Sequence, residues 1–125
     1  MNWIVTGALL MAMAVGLGAF GAHGLRSRLD AYSMSVYEKA AFYHFVHALG
    51  ILLVALLSRT QAISFAAQAR VGWLLLLGIL IFSGSLYALA VSGVRMLGAI
   101  TPVGGLAFIG GWLLLAYEAL RAPRL

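Results

Sequence analysis

Residues 71–91 read VGWLLLLGILIFSGSLYALAV, without one charged side chain. An α-helix rises 1.5 Å per residue, so about 20 apolar residues cross the hydrocarbon core of a bilayer. This run is long enough to do so, and the rest of the chain repeats it. Uncharged stretches also extend from about Trp3 to His23, from about Ala40 to Ser58, and from Gly98 or Pro102 to Tyr117. A chain of 125 residues that is 64% hydrophobic and 9% charged cannot wrap a polar shell around an apolar core. The surplus apolar surface must face lipid. The expected fold is an all-α membrane protein, a four-transmembrane-helix bundle with short loops. It forms a single transmembrane domain over 1–125, with helices at about 3–23, 38–58, 71–91 and 99–119.

Charges gather between these runs. Arg26, Arg28, Asp30 and Glu38 stand among apolar residues, so an amphipathic link at the membrane surface is expected over about 25–37. Thr101 before Pro102 suits the start of the fourth helix, because proline lacks the N–H that a first turn leaves unpaired. The first run has no Lys or Arg ahead of it and is read as a span rather than a cleaved leader. Orientation is balanced. Arg59, Arg70, Arg121 and Arg124 share the side of the termini, while Arg26, Arg28, Lys39 and Arg95 face the other. The net charge of +5 is scattered over short loops, which fits anionic lipid headgroups and argues against nucleic acid. There is no cysteine, so thiol chemistry, disulfides and cysteine-held metals are excluded.

Projection at 100° per residue sorts each helix into faces. Gly7, Met11, Ala14, Gly18 and Gly21 form a stripe on the first helix, flanked by Ala8, Ala12, Gly16 and Ala19, with Leu9, Leu10, Met13, Leu17 and Phe20 opposite. Small residues let helices approach closely in lipid, which makes this helix the expected centre of the bundle. On the second helix Tyr37, Ala40, Ala41, His44, His47, Ala48, Ile51, Ala55 and Ser58 share one face. On the third, Gly72, Leu76, Ile79, Ser83 and Tyr87 do so, and on the fourth Gly104, Ala107, Phe108, Gly111 and Glu118. The helix-packing glycines are thus Gly7, Gly18, Gly21, Gly104 and Gly111. Trp3, Trp73 and Tyr117 are expected as interfacial anchors, and Glu118 is expected to pair with Arg121 one turn on.

Alternating helix direction brings one polar group to the end away from the termini: His23, Tyr43, His44, His47, Ser83, Ser85, Tyr87 and Thr101. His44 and His47 are three apart and can reach one ligand, which makes them the candidate metal ligands, with His23 as a third histidine. Intramembrane histidines also relay protons or hold a lipid or quinone-like headgroup. The plainer reading is hydrogen bonding between helices. Glu118 lies roughly 20 Å or more away by helical rise and is no fourth ligand. The glycine runs follow no strand, so no nucleotide cradle is formed and no cofactor is expected.

Four ordered motifs carry a resemblance. They are Gly18-Ala-Phe-Gly-Ala-His-Gly-Leu25, Tyr43-His-Phe-Val-His-Ala-Leu49, Phe82-Ser-Gly-Ser-Leu-Tyr87, and Thr101-Pro-Val-Gly-Gly105 with Gly111-Trp112. Together they resemble the small bacterial inner-membrane proteins of the YgdD and YwdK type, over essentially the whole chain. The resemblance implies the topology above, a multi-pass protein of the bacterial inner membrane, and a relation to a small eukaryotic transmembrane protein. It implies no reaction. The chain has no defensible nucleophile and base pair, so an enzyme is not expected. Binding or assembly is the first expectation, against a membrane protein, a second copy or lipid. Proton, metal or small-solute handling through His23, His44 and His47 is the alternative.

Overall fold

In the computed structural model residues 1–123 are described, so Arg124 lies outside the described residues. The described residues form four helices, α1 (Trp3–Leu25), α2 (Ala31–Arg59), α3 (Phe65–Ser92) and α4 (Thr101–Arg121), with a short 3₁₀ turn at Arg95–Ala99 before α4. Each is long and apolar enough to cross a bilayer, and no strand occurs among the described residues. The protein is an all-α, multi-pass membrane bundle.

Each start is built by a local rule. The Asn2 side chain accepts the Ile4 and Val5 amides, Asp30 accepts Ser33 N–H at 2.7 Å, and Ser64 accepts Ala67 N–H at 3.1 Å. These caps use donors that a helix end otherwise leaves to water. Pro102 occupies the first turn of α4. The cap at Asp30 corrects one expectation: residues 31–37 are the opening turns of α2, and the amphipathic link shrinks to Arg26–Asp30. Arg26 reaches Glu38 across that link at 3.6 Å. The third helix likewise starts earlier than residue 71, at Phe65 behind its Ser64 cap.

Small residues permit close approach without choosing the neighbour. α2 and α3 form the centre, with α1 packed along α2 and α4 along α3. The first helix is therefore peripheral, not central. Its buried residues are Trp3, Gly7, Leu10, Ala14, Gly21 and Leu25, while Ala8, Ala12, Gly16 and Ala19 are exposed. Leu10, placed above on the face opposite the small residues, is inside. Trp3 is also packed inside the bundle, lying over Gly72 with its ring edge-on to Trp73 at 5.5 Å. Trp73 and Tyr117 remain exposed as expected of anchors.

Four of the predicted packing glycines do seat a neighbour: Gly7 meets Leu52, Gly21 the Tyr37 ring, Gly104 the Phe82 backbone and Gly111 Leu75. Gly18 does not, since a Cβ there would meet nothing within 4 Å. Gly50 and Gly78, absent from the predicted set, receive Trp112 and Phe108. Glu118 pairs with Arg70 of α3 rather than Arg121. Arg121 instead donates to the Tyr117 hydroxyl at 3.1 Å and lies over its ring.

Candidate functional site

Two apolar cores fill the bundle, one nearer the termini around Ile51, Val71 and Leu75, the other around Tyr37, Ala40 and Leu86. His44 and Ser83 fall between them along α2 and α3. Both are buried, Ser83 fully. Beside them α3 widens into a π-helical turn at Ile79–Ser83, and α1 ends in another at Gly21–Leu25. Such turns loosen the regular ladder and free carbonyls for other donors. The Tyr37 hydroxyl donates to the Leu17 carbonyl at 2.5 Å, one turn before the second of these.

The predicted polar group divides into smaller units. The His44 Nδ1 and the Tyr87 hydroxyl are 3.0 Å apart, joining α2 to α3, and Tyr87 packs edge-on to Tyr37 at 5.2 Å. The Ser85 and Thr101 hydroxyls, 2.6 Å apart, join α3 to α4. Tyr43, His47, Phe82 and Phe108 form an aromatic stack in which the His47 ring lies 3.5 Å from that of Phe108 at 13°. Helical spacing alone had placed Phe108 on a packing face, but the stack itself needs three helices in contact.

The histidines do not meet at one ligand. His44 turns to Tyr87, whereas His47 donates Nδ1–H to the Tyr43 carbonyl at 2.7 Å and gives its ring face to Phe108. Residues three apart differ by about 60° around the axis, and here different neighbours fill those two directions. His23 is exposed at the end of α1 and joins neither. Among the described residues, no three His, Cys, Asp or Glu side chains are arranged to hold a metal ion. Two buried polar atoms at this level, His44 Nε2 and Ser83 Oγ, have no hydrogen-bond partner among the described residues.

A separate feature lies on the lipid side. Val46, Leu49, Leu53 and Leu56 of α2, with Gly50 as floor and Trp112 of α4 as one wall, line a groove of about 470 Å³. It is nearly all apolar. A Cβ at Gly50 would stand 2.9 Å from the Trp112 ring, so the glycine admits that wall.

A family model described as "Protein of unknown function (DUF423)" matches residues 17–105. The chain belongs to the DUF423 family. Relatives agree along nearly the whole length. The UPF0382 membrane protein SSP2132 of Staphylococcus saprophyticus is 53% identical over 95% of this chain and 97% of its own. The UPF0382 membrane protein YwdK of Bacillus subtilis is 43% identical over 95% of this chain and 96% of its own. No solved structure matches. The DUF423 match takes in every residue of the predicted polar group, from His23 to Thr101, together with the π turns.

Proposed function

We propose that this DUF423 protein is a non-enzymatic binding or assembly component of the bacterial inner membrane, which holds a partner within the bilayer against the α2–α4 groove. The groove carries the reading: it is a shaped concavity, nearly all apolar, walled by an indole and floored by a glycine. In lipid, association is driven by such close packing rather than by hydrophobic exclusion. A partner helix, a second copy or a lipid chain could lie there. The internal polar side chains support the same reading, because His44 with Tyr87 and Ser85 with Thr101 make bonds that join helices, while His47 bonds the Tyr43 carbonyl of its own helix. They act as glue between spans.

The chain has no cysteine, so Leu53→Cys places a single thiol in the groove. Crosslinking in native membranes is expected to yield a defined adduct, a disulfide dimer for a second copy or a heavier species for another protein. Leu9→Cys, on the exposed side of α1, should give none. His44→Gln and His47→Gln should keep the adduct, and elemental analysis should find no stoichiometric metal in any form. Proton or metal uptake by the wild type that both histidine variants abolish would replace this reading with the transport one.

A further inference from the structure

The ends of three helices enclose a second cavity, of about 610 Å³, on the side of the termini. Its wall combines the last turn of α2, the start of α3 and the residues that follow α4. Arg70 and Arg121 supply two guanidinium groups and Glu118 one carboxylate, which leaves the lining with a surplus positive charge. Only part of that charge is consumed. Arg70 pairs with Glu118, but Arg121 donates from one nitrogen to the neutral phenol of Tyr117. Ser64 and Phe65, the capped start of α3, border the same cavity at the positive end of the helix dipole. Ser58 is 4% exposed, lines the cavity, and has a hydroxyl with no hydrogen-bond partner among the described residues. Phe65, 74% exposed, and Ile63 give the opening an apolar side.

We infer that this cavity binds a phosphate group, as the phosphodiester of an anionic phospholipid whose acyl chains descend along Phe65. Guanidinium groups present paired donors that match phosphate oxygens, and basic pockets between spanning helices hold anionic headgroups. The location fits. Helix ends mark the headgroup level, where an apolar side toward the bilayer and a cationic side toward water suit one amphipathic ligand. This inference does not rest on the groove.

The test is native mass spectrometry of the full chain with phosphatidylglycerol, phosphatidylcholine or inorganic phosphate added. One phosphatidylglycerol should be retained in preference to phosphatidylcholine. Arg121→Gln should weaken retention about tenfold, the worth of one charge-assisted hydrogen bond. Glu118→Gln should strengthen it, because the change frees Arg70 and removes the competing carboxylate. A merely structural ion pair predicts no such gain. Equal occupancy by inorganic phosphate, with no preference for the lipid, would keep the site and make its ligand a soluble phosphate. Equal retention of both lipids with no effect of phosphate, or no response to Arg121→Gln and Glu118→Gln, would overturn the inference.

Discussion

Replacing Gly104 by alanine tests whether backbone approach holds α4 to α3. A Cβ at Gly104 would stand 2.7 Å from both Cα and Cβ of Phe82, where ordinary contact begins at 3.4 Å. The obstacle is backbone and cannot rotate aside, so the helices must part by roughly 1 Å. A gap of that size forfeits a quarter to a half of each contact's attraction. With about 40 atom pairs at about 0.15 kcal/mol, the loss is about 1.5–3 kcal/mol, within the range for overpacked cores. Alanine's higher helix propensity returns about 1 kcal/mol, so the net loss is about 0.5–2 kcal/mol. Gly110→Ala on the same helix is the control, since a Cβ there meets nothing within 4 Å. It should be neutral or stabilising. Unfolding in mixed micelles, titrated with SDS and followed by circular dichroism, measures both. Equal stability of the two variants would refute close packing at Gly104.

A double-mutant cycle with His44→Ala and Tyr87→Phe should return a coupling of about 0.6 kcal/mol and no more than about 1.7, the span of hydrogen bonds between membrane helices; zero coupling would remove this pair from the forces joining α2 to α3. Asp30 supplies a pH dependence. The Ser33 amide and hydroxyl hold its carboxyl below the ordinary aspartate value, so its contribution to α2 is complete above that value and lost as pH falls through the lower, folded-state one. Amide-exchange protection at the start of α2 should fall in acid for the wild type and not for Asp30→Asn; identical acid responses would contradict the cap.

The number of spans, their order and the shared inward face of His44, His47, Ala48 and Ile51 were all legible in the sequence. Charge-free runs of bilayer length and a 3.6-residue period follow from local chemistry, and no neighbour is needed to read them. Asp30 was read only as one charge of a surface link and not as a cap, because the charged residues from Arg26 to Glu38 looked like a surface segment. In water near the bilayer, a capped helix continues through such residues at little cost.

What the tertiary structure alone decided was who meets whom. A period tells which residues share a face, and it is silent on which helix covers that face. In lipid that choice turns on the fit of particular side chains, because apolar neighbours and lipid tails are nearly equivalent. Hence α1, with the richest stripe of small residues, proved peripheral, while Gly50 and Gly78 became seats for Trp112 and Phe108. Hence too the ring of His47 went to Phe108, His44 to Tyr87, and Glu118 to Arg70. The residue types were read from the chain, and their partners were set by the order and rotation in which the four helices pack.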